Sequence, residues 1–325
     1  MIRDKVIFVT GGAGFIGWNT ILRLCNDNKI IIYDNMYRHS KSDTFNLNVD
    51  NISIIKGDIL DYELLYSSIP ENTDIVLHFA AIAGVDTVLR NPVKTMEINT
   101  IGTYFLLKVV KEKGLIDKLH RLVFLSTSEV FGVTAFKSSE DTSTNLQPVG
   151  EARWVYSVSK VAGEHLINAY NKEFGLRSTI LRPFNVYGPG QIGEGAIHQF
   201  VVRAIKNEPL QIHGDGTQIR SWCYIDDMVD GILLSLENDK AIGEVFNIGN
   251  PRGTLTILSL AEKVIYLSGS SSPIIFVPKN YIDVELRIPN IEKAQRILNY
   301  NPKVDLNEGL LRTIEWYKSR INKVY

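Results

Sequence analysis

Cysteine is scarce in this chain: among 325 residues only Cys25 and Cys223 carry a thiol. Two cysteines without CxxC spacing exclude a disulfide framework and point to reduced, buried thiols in a cytoplasmic protein. No metal site is expected. An excess of charge of one sign is also missing, since 35 Lys and Arg face 36 Asp and Glu, a net charge of -1. No basic field draws in nucleic acid or an anionic membrane, so any phosphate must be recognised by a local site. No apolar run approaches the length of a membrane-spanning helix. Repeats and low-complexity segments are lacking, and the opening MIRDKVIFVTGG runs straight into a strand-like segment instead of a cleavable leader. What remains is an ordinary globular balance, 45% hydrophobic and 22% charged, in a length that suits one large domain or two modest ones.

Short runs rich in Val and Ile punctuate the first half: Lys5–Thr10, Lys29–Asp34, Ile52–Gly57, Asp74–Ala80, Arg121–Ser126 and Leu176–Arg182. They are apolar throughout instead of alternating, which predicts strands buried on both faces. Helical patterns near Phe15–Cys25, Tyr62–Ser68, Val93–Lys113 and Trp154–Phe174 separate them. The fold class is therefore α/β, a doubly wound parallel sheet with right-handed crossovers. After about Pro183 the rhythm changes. Gly and Pro cluster in Tyr187–Gly195, His213–Thr217 reads as a turn, and a strand-like run at Glu244–Ile248 precedes helices near Ile257–Leu267, Ile291–Leu298 and Leu306–Arg320. The expected division is a cofactor domain over 1–185, with return segments near 221–250, and a smaller substrate-facing lobe mainly over 186–325.

The first strand runs into Gly11, Gly12, Ala13, Gly14, Phe15, Ile16 and Gly17, which satisfies GxGxxG. Backbone without Cβ at a tight turn lets a pyrophosphate sit against the amides of a helix N-terminus. Asp34 ends the second strand 20 residues after Gly14, followed by Asn35. A carboxylate there accepts hydrogen bonds from an adenosine ribose and repels a 2′-phosphate, so NAD is favoured over NADP. Asp58, with Ile59 beside it, follows the third strand and either accepts from the adenine amino group or caps a helix. Phe79, Ala80 and Ala81 offer small side chains that let backbone approach a ligand, and Pro183, directly after the run Leu176–Arg182, is expected at the cofactor too.

Tyr156 and Lys160 form Tyr-x-x-x-Lys on a predicted helix, so they share one face. An ammonium near a phenol is expected to lower the tyrosine pKa, tuning it as a general base. Thr127 lies at the carboxyl edge of the sheet, where its hydroxyl can hold the substrate hydroxyl that Tyr156 deprotonates.

Together with Val9 to Gly12, the runs Ser126 to Gly132, Tyr156 to Lys160 and Arg182 to Pro189, and the C-terminal helix, these motifs resemble the extended short-chain dehydrogenases of the nucleotide-sugar epimerase and dehydratase family. The resemblance covers nearly the whole chain. It implies a Rossmann domain with a C-terminal substrate lobe, tightly held NAD, a nucleoside-diphosphate sugar as substrate, and a homodimer built through a four-helix bundle, or a tetramer. By the same match Thr127, Tyr156 and Lys160 are catalytic, Asn99 supports the cofactor site, and Asn185 and Arg220 contact the sugar diphosphate. Trp18-Asn19 departs from the family's usual Ser-His and bears on packing only.

Members share oxidation at C4 of the sugar to a 4-ketone and differ in the chemistry after it. Thr127-Ser128-Glu129 resembles GDP-mannose dehydratases and UDP-glucuronate decarboxylases, whereas simple 4-epimerases usually carry a small residue at the position of Glu129. The runs Arg153 to Lys160 and Tyr281 to Pro289 resemble the decarboxylase domain of the aminoarabinose pathway, where the residue matching Arg287 lies at the active site. Arg287 can bind a carboxylate or act as a diphosphate clamp. Glu129 can serve as a second acid or base, and Ser128 with it, or it can be an N-cap or a buried ion-pair partner. Decarboxylation, 4,6-dehydration and release of the 4-keto sugar stay open, as do 4-epimerisation and, from another class, a non-catalytic NAD-binding protein. From Asp34, calorimetry on cofactor-stripped protein is expected to find NAD bound more tightly than NADP; equal affinities would contradict the assignment.

Overall fold

The computed structural model describes residues 2–38, 50–146, 148–278 and 284–320. In chain order its first half comprises β1 (Val6–Thr10), α1 (Phe15–Leu24), β2 (Lys29–Asp34), β3 (Ile52–Lys56), α2 (Tyr62–Ser68), β4 (Ile75–His78), α3 (Val85–Arg90), α4 (Pro92–Met96), α5 (Gly102–Glu112), β5 (Arg121–Leu125), β6 (Thr134–Ser138), α6 (Val155–Phe174) and β7 (Ser178–Pro183). The second half adds β8 (Val186–Tyr187), α7 (Ala196–Ile205), β9 (Leu210–His213), β10 (Ile219–Ser221), β11 (Cys223–Tyr224), α8 (Ile225–Glu237), β12 (Val245–Ile248), β13 (Thr254–Thr256), α9 (Ile257–Ser268), β14 (Ile274–Val277), β15 (Leu286–Pro289), α10 (Glu292–Leu298) and α11 (Leu306–Lys318).

Seven strands form one sheet in the order β12-β7-β5-β4-β1-β2-β3. Each neighbouring pair is parallel. This is the doubly wound Rossmann arrangement anticipated from the Val- and Ile-rich runs. Ile7, Phe8 and Val9 of β1, Ile75, Val76 and Leu77 of β4, and Leu122, Val123 and Phe124 of β5 are fully buried. Burial of each such side chain contributes roughly 1.5–3 kcal/mol. One hydrophobic cluster, including Val9, Trp18, Ile21, Ile32 and Phe246, covers one face. A second, including Phe8, Tyr33, Leu106, Phe124 and Ile180, covers the other. The later elements have a core of their own around Phe200, Trp222, Tyr224, Leu260 and Leu310, and β13, β10, β15 and β6 make a second, four-stranded sheet.

Two sequence expectations need correction. The run at Ile52–Gly57 is not buried on both faces. β3 is the last strand of the sheet, and Ile54 is 45% exposed, because an edge strand has a neighbour on one side only. The helix expected over Val93–Lys113 starts at Pro92, whose missing N–H costs nothing at a helix start. It is then interrupted by a π-helical turn at Glu97–Ile101, and the short α3 before it was not anticipated. The segment Tyr281–Asp283 of the run ending at Pro289 lies outside the described residues.

The helix that carries Tyr156 and Lys160 is locked to the sheet by a buried ion pair. Arg182 of β7 donates to both oxygens of Glu164 of α6 at 2.8 and 2.7 Å. It also donates to the Glu140 carbonyl at 2.9 Å, while the Ser126 hydroxyl donates to Glu164 Oε1 at 2.5 Å. Removing one partner of such a pair leaves a buried charge uncompensated. Glu164→Ala is therefore expected to lower unfolding stability by about 3 kcal/mol in urea titration; a loss under about 1 kcal/mol would mean that the pair is not anchoring the helix.

Candidate active site

A cleft of about 530 Å³ opens along the carboxyl ends of β1, β2, β4, β5 and β7. Its floor is the glycine turn. Gly11 has φ +69°, and a Cβ there would lie 2.5 Å from the Ala80 nitrogen; one on Gly17 would lie 2.6 Å from the Gly11 carbonyl oxygen. The turn is thus packed too closely for side chains. Gly14 begins α1 without a side-chain cap, and the first turn has no acidic residue. The helix therefore presents its amide end, with its partial positive charge, to the cleft. Asp34 closes the turn by accepting from the Ala13 amide at 3.0 Å and the Met36 amide at 2.8 Å. An uncapped helix end, a Cβ-free cradle and a carboxylate one strand away fit a dinucleotide.

All the residues expected at the cofactor line this cleft except Asn99. Asn99 is buried behind its wall on the π-helical turn, where its side chain bonds both the amide and the carbonyl of Ile82 at 2.8 and 3.0 Å and the Ser159 hydroxyl at 3.0 Å. It shapes the wall instead of touching what lies inside. Asp58 lines the cleft, whereas the cap of α2 is Asp61, which accepts from the Leu64 amide. The sequence did not single out Arg38 and Glu194. Arg38 donates to the Ala83 carbonyl and the Thr87 hydroxyl, each at 2.9 Å. Glu194 accepts from the Asp86 and Thr87 amides at 2.8 and 3.0 Å. They meet at 3.7 Å, tying three loops together beside the cleft.

At the other end stand Tyr156 and Lys160. Lys160 donates to the Leu125 carbonyl at 2.7 Å. Burial pushes its pKa down to about 7, opposed by the charge of Glu164. The expectation that Lys160 lowers the Tyr156 pKa is not met. Burial, with the charge of Glu129, pushes the phenol well above its ordinary value; the groups that oppose this are Thr127, hydrogen-bonded to it, and Arg153. The lysine is turned to the backbone and partly discharged, so Arg153 takes the part foreseen for it.

Thr127 is the cap of the 3₁₀ turn Ser128–Phe131, accepting from the Glu129 amide at 3.2 Å. Glu129 is thus not itself an N-cap; it is an ion-pair partner. Arg153 donates to its two carboxylate oxygens at 2.6 and 3.0 Å. Burial alone pushes the Glu129 carboxyl up, but Arg153, reinforced by Arg287 and Arg220, outweighs it and holds the group at about 2. At neutral pH Glu129 is an anion, so at rest it has no proton to give. Arg220 and Arg287 are register partners on β10 and β15. Arg220 donates to the Val284 carbonyl and Arg287 to the Gly132 carbonyl at 2.6 Å, with Ser128 at 3.5 Å. Asn185, in the left-handed region at φ +38°, donates to the Ser221 carbonyl at 2.9 Å, tethering the corner after β7 beside Arg220. The site therefore gathers Thr127, Ser128, Glu129, Tyr156, Arg220 and Arg287. The missed member is Arg153, whose signal was its place at the head of the run Arg153 to Lys160; it stands three residues before Tyr156, on the turn that leads into α6.

Residues 7–249 match the model of the NAD dependent epimerase/dehydratase family. The chain is 35% identical to UDP-glucuronic acid decarboxylase 1 of Arabidopsis thaliana over 97% of this chain and 70% of that one. It is 32% identical to UDP-N-acetyl-alpha-D-glucosaminuronate decarboxylase of Bacillus cytotoxicus over 97% and 98%. Among solved structures, UDP-glucuronic acid 4-epimerase from Bacillus cereus, in complex with UDP-glucuronic acid and NAD, superposes with a TM-score of 0.84 at 33% identity, covering 97% of this chain and 99% of that one.

The lysine makes a prediction of its own. Its pKa falls on folding from 10.5 to about 7, so between those values the unfolded chain binds more protons and stability rises with pH. The contribution is at most about 1.4 kcal/mol per pH unit. Urea titrations between about pH 7 and about pH 9 are expected to find a shallower rise for Lys160→Met than for wild type; parallel curves would mean that the lysine keeps its ordinary pKa.

Proposed function

The chain belongs to the NAD dependent epimerase/dehydratase family, and on that premise we propose that it oxidises C4 of a nucleoside-diphosphate uronic acid and then removes the sugar carboxyl group as carbon dioxide. The observation that carries this reading is the convergence of Arg153, Arg220 and Arg287 on the carboxylate of Glu129, beside Tyr156. It suits a second carboxylate. The names of the relatives favour it too, since two are decarboxylases of uronic acid nucleotides.

In this proposal residues 1–185 carry the cofactor and 186–325 mainly the substrate. Bound NAD supplies the acceptor for hydride from C4 and a positive ring that favours the phenolate of Tyr156. Tyr156 takes the C4 hydroxyl proton, with Thr127 holding both oxygens. The resulting 4-ketone makes the C5 carboxylate a β-keto acid. The C5–C6 bond breaks, its electron pair enters an enolate as carbon dioxide leaves, and C5 then takes a proton from water, the hydroxide left behind being neutralised by the proton held on Tyr156. Ser128 and Glu129 flank that carbon, and Asn185 holds the diphosphate, while Arg220 stands with Glu129. Val93, Ile101, Tyr104 and Val158 are exposed apolar side chains along α4 to α6, which supports a homodimer through those helices.

A second reading, 4-epimerisation of the same uronic acid, is favoured by the similarity to the Bacillus cereus enzyme; it returns hydride to the opposite face and keeps the carboxyl. Mass spectrometry after incubation with UDP-glucuronic acid separates the two, with loss of carbon dioxide expected and an isomer of unchanged mass favouring the epimerase. Glu129→Gln is expected to leave nicotinamide reduction within about threefold while slowing carbon dioxide release about a hundredfold. An unchanged rate of release would mean that Glu129 takes no part after oxidation.

A further inference from the structure

Three guanidinium groups converge on Glu129, but they are not held alike. Arg220 and Arg287 each donate to a backbone carbonyl, of Val284 and of Gly132, and sit side by side on paired strands. Their places are set by the sheet. The fork of Arg153 is directed at a side chain: both terminal nitrogens meet the two oxygens of Glu129. It projects from the turn that leads into α6, three residues before Tyr156, with its guanidinium carbon 5.3 Å from the Trp154 ring centroid. Its surroundings are dry, at 4% exposure.

A planar fork in a dry site fits one carboxylate as well as another. The arrangement at rest is therefore that of a receptor occupied by an internal anion. An incoming sugar carboxylate can take the fork of Arg153 without any loss of paired charge, provided Glu129 finds another cation. The charges of Arg287 and Arg220 already act on it. A neutral hydroxymethyl group offers no such exchange, because it would leave the Arg153–Glu129 pair in its way. Stability gives little reason to keep the pair, since a buried ion pair is commonly matched by apolar residues of similar volume.

Resting on the uronic acid reading above, we infer that Arg153 is the specificity-determining residue for a carboxylated sugar: it holds Glu129 in the resting site and exchanges it for the sugar carboxylate in the complex, leaving Glu129 to Arg287 and Arg220. Glu129 is then delivered beside C5 only when a carboxylate is bound, which couples recognition of the group that leaves to placement of the side chain that acts next.

The test is calorimetric titration of NAD-loaded wild type, Arg153→Lys and Arg153→Met with UDP-glucuronic acid and with UDP-glucose. Wild type is expected to bind the uronic acid at least tenfold more tightly. Arg153→Met is expected to weaken the uronic acid about a hundredfold and UDP-glucose by less than about threefold, while Arg153→Lys, which keeps the charge but not the fork, falls between. Equal affinity of wild type for the two sugars, or parallel losses for both sugars in the variants, would overturn the inference, the second outcome marking Arg153 as merely structural. Carbon dioxide release by wild type is read separately. Selective binding of the uronic acid without its release would sink the decarboxylase reading and leave the role of Arg153 standing.

Discussion

Burial and charge pull in opposite directions at Glu129, and the bidentate contact from Arg153 decides the contest. Much of the site depends on that contact. An ionised Glu129 works against the phenolate of Tyr156, while Arg153 and Thr127 favour it. The phenol therefore keeps its proton until positive charge or a change of partner shifts the balance. Arg220 and Arg287, anchored on neighbouring strands, supply the other cations that a displaced Glu129 would need. A site built in this way responds to the charge of what enters it.

The scaffold's task is to bring that contact to the edge of the cofactor cleft. Parallel pairing aligns the carboxyl ends of β1, β4 and β5, so that the glycine turn, the Ala80 loop and Thr127 open on one side of the sheet. Lys160 fastens α6 to this edge through the Leu125 carbonyl, and Arg182 fastens it again through Glu164. Because α6 is fixed twice, Tyr156 and Arg153 are placed with little freedom, as the proposed proton transfer and carboxylate recognition require.

What could be read in the sequence was local. The β1–glycine turn–α1 unit, Asp34 and the Tyr156–Lys160 spacing are patterns within a few residues, or about twenty, of one another, and the cleft contains them all. What could not be read depends on distant pairing. Arg153 stands 24 residues from Glu129, Arg287 reaches Gly132 across 155, and Glu194 reaches Asp86 across 108. No periodicity encodes such distances. The exposure of β3 comes from its place at the end of the sheet, which a run of apolar residues does not reveal. The discharge of Lys160 likewise comes from burial that the Tyr-x-x-x-Lys spacing does not describe.

In the proposed reaction, oxidation at C4 precedes loss of the carboxyl group. Rapid-quench analysis of a single turnover, with UDP-glucuronic acid labelled at C6 and nicotinamide absorbance followed in parallel, tests it most directly. Reduced nicotinamide is expected before labelled carbon dioxide, with the second signal lagging the first. Labelled carbon dioxide released ahead of any reduced nicotinamide, or label retained in the sugar after complete turnover, would contradict it.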